Sequence, residues 1–549
     1  MENEGGRTIA RREFLGTVAA TGAALTFSPA GVRALRSGPA GKRPLPARGA
    51  RFRQGVASGD PAQRGITLWT RLDQIERAAT VELEVAKDPD FRRVVERRRL
   101  VARPGRDFTV EARLDGLDRG ERYFYRFDSG ERSSQVGRFS TLLPRGSREP
   151  VRIGVFSCQD YVPGYYTAHA GLADEDLDLV VCLGDYIYER VFYEPAVRED
   201  KLGANGDGEV QTLAEYRQKY NLYHSDANLQ AVRASCPLMA IADDHEVEDN
   251  YAGLLPGEAT IDHRVEFAKR RRNGYRAYFE HMPFRPITPR HRRERSERFR
   301  NYRRIRLGAN AELFLLDQRQ YRDDQPCGDE LPPVPPCPES ERNDPSRTLL
   351  GAKQKEWLKR GLAESQATWK LIGSQVMMMA VDVPAGNPLN MDQWDGYGGE
   401  RRELLEFVAK NEIDNVSVLT GDIHTFFAGR VTPTGRQVAG SPRAVATEFV
   451  AGSMTSLGIP ETIAGMTGTP LPPATVAVLS DSAAFKEQNP HYEYVDTEHR
   501  GYGVVTAAPD ALEVAFRSPL TTSHPQSQVV DLARFRVPDG VTDVEVLPG

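Results

Sequence analysis

The chain has 549 residues, with 72 Lys and Arg against 77 Asp and Glu and a formal net charge of −5. That length exceeds what one hydrophobic core serves and predicts two or three domains. The balanced charge provides neither a nucleic-acid-binding signature nor an overall attraction to an anionic membrane.

Residues 1–34 read as an export signal. Arg11-Arg12 is followed by Phe14-Leu15 and a mild apolar run over 17–27, a pattern that resembles a twin-arginine signal. A small-x-small cleavage site falls at Val32-Arg33-Ala34. The run is too short and too rich in Ala and Gly to span a bilayer, and no other segment qualifies as a transmembrane anchor. The expected partner is the twin-arginine export machinery, and the expected location is secreted or in the cell envelope. Residues 35–50, rich in Gly, Pro, Ala and Arg, read as a linker.

Over 51–145 the pattern is of short alternating strands, at 67–72, 80–86, 94–100, 108–114, 122–127 and 135–142, separated by turn signals. This predicts an immunoglobulin- or fibronectin-like β-sandwich, with Tyr123 as its corner tyrosine bonded back to the backbone. From 146 to 535 strands alternate with helices. Strands are expected at 151–157, 177–184, 238–242, 313–316, 371–376 and 416–419, helices at 165–174, 261–281, 352–365 and 401–411, and a hairpin over 501–517. The fold class is therefore α/β (α+β). Cys327 and Cys337 flank a Pro-rich loop and are the candidates for a disulfide in an exported protein. Cys182 and Cys236 read as core thiols.

Ligands in open α/β sheets bind beyond the carboxyl ends of the strands. Four apolar runs here end in residues able to hold a cation: Cys158 after the first, Asp185 and Tyr188 after the second, Asp243-Asp244-His245-Glu246 after the third, and Asp422 with His424 after the last. Converging on one rim, they would make a two-metal site. Thiolate, phenolate and imidazole suit a transition metal, whereas carboxylates alone suit calcium, magnesium or manganese. Tyrosinate in particular suits ferric iron, and zinc with Cys and His would not need the tyrosine.

The ordered motifs Gly55-Val56-Ala57-Ser58-Gly59-Asp60-Pro61, Phe156-Ser157-Cys158-Gln159, Gly184-Asp185-Tyr186-Ile187-Tyr188-Glu189, Asp243-Asp244-His245-Glu246 and Gly421-Asp422-Ile423-His424 resemble those of PhoD-type alkaline phosphatases. Leu316-Asp317-Gln318-Arg319-Gln320-Tyr321-Arg322 and Trp369-Lys370-Leu371-Ile372-Gly373-Ser374-Gln375 extend the likeness, which runs from about 50 to about 520. The resemblance implies a two-sheet metallophosphoesterase core and an exported phosphatase or phosphodiesterase acting on phosphate mono- or diesters through metal-activated water. It implies Fe³⁺ held by Cys158, Asp185, Tyr188 and His424, and Ca²⁺ held by Asp185, Asp244 and Asp422, with manganese or zinc as alternatives for the second ion. It places His245 beside the substrate as the catalytic residue. Asp244 stands where the wider superfamily has asparagine, which adds negative charge and favours calcium.

Other readings are weaker. No G-x-S-x-G elbow points to a serine hydrolase, and Asp481-Ser482-Ala483 resembles another phosphatase family's nucleophile without its flanking residues. A phospholipase D-like hydrolase is the enzymatic alternative, and a surface binding protein built on the sandwich is the non-enzymatic one. The arginine-dense segment 285–306 reads as a solvated face or as an anion-steering surface.

Overall fold

A computed structural model describes residues 44–192, 196–257, 263–285, 299–333, 335–384, 387–437, 442–459, 461, 473–479 and 481–548. The export signal lies outside the described residues.

Alternation along the strands builds two facing sheets. In Val151–Phe156, Val151, Ile153 and Val155 point into one core while Phe156 points into another. Leu179–Cys182 repeats the device, with Leu179 and Val181 inward and Val180 and Cys182 outward. On the opposite sheet Leu313, Leu315, Leu371 and Leu419 complete the inner core, whereas Phe314, Ile372 and Val418 face outward. Such two-sided apolar runs are what strands buried on both faces require. Among the described residues, ten strands form one sheet and seven the other. The ten-stranded sheet has Val151–Phe156, Leu179–Cys182 and Leu238–Ala240 side by side and parallel at its middle. The seven-stranded sheet carries Val416–Thr420, parallel to Trp369–Ser374 and to Ala446–Ala451.

Helices cover both outer faces. Gly351–Glu364 buries Gln354, Leu358, Gly361 and Leu362, an i, i+4, i+7, i+8 stripe. Leu213–Tyr223 and Ala227–Ser235 are helices that the sequence reading missed. The first opens with a reciprocal capping box between Thr212 and Glu215, and Asp226 caps the second.

The N-terminal strands do not form a free-standing sandwich. One of its sheets, Val94–Ala102, Ala79–Ala86, Arg122–Asp128 and Gly137–Ser140, is separate. The other, Val56–Ala62, Gly65–Arg71 and Thr109–Asp115, continues the ten-stranded sheet through Gly59 opposite Leu238. A Cβ at Gly59 would meet Pro283 Cγ at 2.6 Å, so a glycine permits the join. Tyr123 is buried and its hydroxyl accepts from the Asp118 N–H at 3.0 Å, closing the expected corner.

Two boundaries shift from expectation. Residues 44–50, expected within a linker, are docked: Ala47 and Ala50 are buried, and Ala47 N–H donates to Thr80 O. The large sheet also continues past residue 535, through Val529–Pro538 and Glu545–Leu547. Cys327 and Cys337 form a disulfide, and Cys158, Cys182 and Cys236 are free and buried. No helix among the described residues is long and apolar enough to cross a membrane.

Candidate metal centre

The strand ends converge as strained turns. Cys158, Asp185, Asp422 and His424 all have left-handed backbones, with φ of 54°, 52°, 65° and 54°. Each such non-glycine residue costs about 1–3 kcal/mol, and clusters of them mark sites whose geometry is imposed by the surrounding fold. Gly184, at φ 123°, turns between the strand and Asp185; a Cβ there would lie 2.6 Å from Asp243 Cβ.

The result brings all seven sequence-derived candidates together. Ligand atoms of Cys158, Asp185 and His424 lie within 4.8 Å of one another, as do those of Asp185, Asp244 and His245, and those of Asp243, Asp244 and Asp422. The Tyr188 hydroxyl stands 3.1 Å from Asp185 Oδ2 and 3.2 Å from His424 Nε2. His424 Nδ1 faces Leu457 O at 2.7 Å, which assigns the N–H there and leaves Nε2 toward the cluster, the arrangement of a metal-binding imidazole. Asp185 Oδ1 and Asp243 Oδ2 are buried without a hydrogen-bond donor among the described residues. Two orphaned carboxylate oxygens amid a thiol, a phenol and an imidazole fit metal cations.

Electrostatics give the same reading. Burial pushes the Asp185 carboxyl well above the carboxylate range, with Asp244 and Asp243 adding to it and His245 opposing. Burial, then Asp185, raises the Cys158 thiol. Burial, then Asp392, raises Asp422 to about 7. Burial also works against ionised Asp244, but Arg319 and His245 hold it well below the usual range. Burial lowers His424 to about 3, so its ring is neutral and able to donate electrons. Acids crowded in a water-poor pocket need compensating cations or protons.

Several functional neighbours escaped the sequence reading. Glu189 accepts from His245 Nδ1 at 2.8 Å. Ser456 Oγ donates to the Tyr188 hydroxyl at 2.7 Å. Arg319 donates from Nε to Asp243 Oδ1 at 2.5 Å and is paired with Asp392. Gln393 Nε2 donates to Asp422 Oδ2. Glu189 and Arg319 sit inside quoted motifs and could have been found there; Ser456, Asp392 and Gln393 lie in loops without any periodic signal.

Two other sequence features take structural places. Asp481 caps the helix Ser482–Gln488, accepting from the N–H groups of Ala483 and Ala484. Of the arginine-dense segment, 286–298 lies outside the described residues. Arg303 pairs with Asp60 at 3.0 Å, and Arg306 donates to the carbonyls of Gly308, Ala309 and Gln366.

Two helix-covered sheets with this constellation at the strand ends define the metallophosphoesterase class. The fold is shared with purple acid phosphatase from yellow lupin (Lupinus luteus), at 12% identity and a TM-score of 0.51 over 88% of this chain and 73% of that one. Residues 153–516 match the PhoD-like phosphatase family, and 39–143 match that family's N-terminal domain. Alkaline phosphatase D of Bacillus subtilis (strain 168) is 35% identical over 496 residues, 88% of this chain and 80% of that protein. A solved structure of PhoD superposes with a TM-score of 0.78 at 33% identity, covering 90% of this chain and 92% of that one. The chain belongs to the PhoD-like phosphatase family and is a phosphoric ester hydrolase.

Proposed function

We propose that this protein hydrolyses phosphate esters with two metal ions, a ferric ion held by Cys158, Asp185, Tyr188 and His424 and a calcium ion held by Asp185, Asp244 and Asp422. The observation that carries the reading is the placement of the Tyr188 hydroxyl 3.1 Å from Asp185 Oδ2 and 3.2 Å from His424 Nε2, beside buried Cys158. A phenol in that company suits ferric iron better than zinc or magnesium. Bound there, the ion pair supplies Lewis acidity toward phosphate oxygens and an activated water.

The protein's own groups do the rest. Burial would neutralise His245, but Asp244, Asp185 and Glu189 outweigh it and raise its pKa well above the ordinary value. Glu189 fixes the Nδ1 tautomer, leaving Nε2 to protonate the leaving oxygen. Tyr188 stacks on the His245 ring at 4.1 Å, holding its plane. Gln393 and the Asn250 N–H orient Asp422 and Asp244.

Export by the twin-arginine route, to the envelope or medium, rests on Arg11-Arg12 and the run that follows. The division we propose is a signal over 1–34, a linker that ends before the docked residues 44–50, and an N-terminal sandwich that shares one sheet with the catalytic domain. No observation favours the phospholipase D-like or binding-module alternative. Elemental analysis of protein purified without added metal, followed by a panel of phosphate mono- and diesters and a phospholipid, tests the proposal. Iron and calcium near one per chain are expected, with ester hydrolysis; a metal-free protein inert to every ester would refute it.

A further inference from the structure

We infer that Asp392 is a positioning residue that draws the Arg319 guanidinium away from Asp244 and Asp422, keeping those two carboxylates free for the second cation. The inference deepens the proposed function and rests on its second metal site.

Arg319 is fully buried among four acids. A guanidinium carries five N–H donors in one rigid plane and stays charged. Its Nε goes to Asp243 at 2.5 Å, while Nη1 and Nη2 take the two Asp392 oxygens at 2.8 and 2.7 Å. The same Nη2 stands 3.5 Å from Asp244 Oδ2 and 3.6 Å from Asp422 Oδ1. Those distances allow attraction but exceed an ordinary hydrogen bond. The bidentate grip of Asp392 therefore decides whether Arg319 bonds to the two carboxylates or merely stands near them. An arginine bonded to both would take the oxygens that a cation needs.

Asp392 is itself held in place. Arg322 Nη1 pairs with its Oδ1 at 3.0 Å, Arg322 Nη2 donates to its backbone oxygen at 3.0 Å, and the Asn390 side chain accepts from its N–H at 2.7 Å. Arg322 is anchored on the Tyr397 hydroxyl through Nε at 2.9 Å. Gln393 beside it bonds to Asp422, so two consecutive residues shape the second cation site.

Asp392→Asn keeps the shape and removes the charge that competes for Arg319. The test titrates calcium, and separately manganese, into chelator-treated full chain by calorimetry, with iron content measured on the same samples. The expected result is a loss of roughly tenfold or more in divalent-cation affinity, the usual scale for an outer partner of a metal ligand, with iron per chain unchanged. Asp392→Asn/Arg319→Gln removes the displaced cation as well and should regain most of the affinity. Equal affinity in wild type and Asp392→Asn would overturn the role of Asp392 alone. Failure of the double variant to recover would also overturn it, since a merely loosened fold weakens both variants alike. A wild type that binds neither ion would overturn this inference and the two-metal reading together.

Discussion

Glu189 and His245 form a buried pair, 2.8 Å from carboxylate to Nδ1, in which the acid comes from the loop after one central strand and the base from the loop after the next. Glu189 also accepts the Asp249 N–H at 3.1 Å, so its orientation is fixed from a second side. With cations on Asp185 and Asp244 as proposed, Glu189 is the carboxylate bonded to His245 that would sustain a protonated imidazole. Glu189→Gln should therefore let the His245 pKa fall. The alkaline limb of kcat/KM against pH should move to lower pH by about one unit, because losing one close opposite charge is worth about 1–3 units. An unmoved limb would remove His245 as the titrating acid. His245→Gln should reduce kcat by about 10²–10⁴-fold, the usual contribution of a positioned acid.

Tyr188 is the residue that separates ferric iron from other metals. A free phenol ionises near pH 10, so only a strong Lewis acid keeps it ionised near neutrality, and the Ser456 hydroxyl donating to it at 2.7 Å helps. The purified protein should be coloured by a phenolate-to-iron charge-transfer band. Tyr188→Phe should keep the fold, lose the colour and hold iron less tightly, and Cys158→Ser should lose iron and most activity. A colourless wild type whose activity depends only on zinc would sink the ferric assignment.

Asp107 ties the N-terminal strands to the helices of the core. It bonds to Arg71 Nε at 2.8 Å, to Asn221 Nδ2 at 2.9 Å and to His281 Nε2 at 3.2 Å. Burial disfavours its charge, yet His281 and Arg71 hold its pKa well below the ordinary value. A depressed folded-state pKa contributes stability that is present above the unfolded value, about 3.9, and is lost as pH falls through the folded one. Asp107→Asn, whose side chain tolerates the left-handed φ of 49°, should cost about 2 kcal/mol at neutral pH, the scale of charged hydrogen bonds. Denaturant titrations should show that gap closing as pH falls below about 4. A gap independent of pH would assign the loss to packing.

Export is testable separately from catalysis. Replacing Arg11-Arg12 by Lys-Lys should leave the precursor inside the cell, because the twin-arginine receptor reads the pair itself. Cell fractionation and immunoblotting check this, and unchanged export of the variant would count against the route.

The sequence by itself determined the central strands of the core and the kind of chemistry at their ends. Two-sided buried runs such as Val151–Phe156 and Val416–Thr420 fit strands covered on both faces in a layered α/β fold, and each stops just before residues able to bind a cation. Those are local patterns, which is why Cys158, Asp185, Tyr188, Asp244, Asp422 and His424 could be named as candidates from the sequence, and the structure brings them together. The tertiary structure alone decided which loops meet. Ser456 reaches Tyr188 across 268 residues, and Arg319 reaches Asp243 across 76 and Asp392 across 73. Such partners leave no periodic trace, because a loop side chain is placed by the elements flanking it and not by its neighbours in sequence. The same holds for the join at Gly59 and Leu238, which makes the N-terminal strands part of the catalytic sheet. Strand pairing over that distance is set by packing and backbone approach, and a sequence pattern carries no record of either.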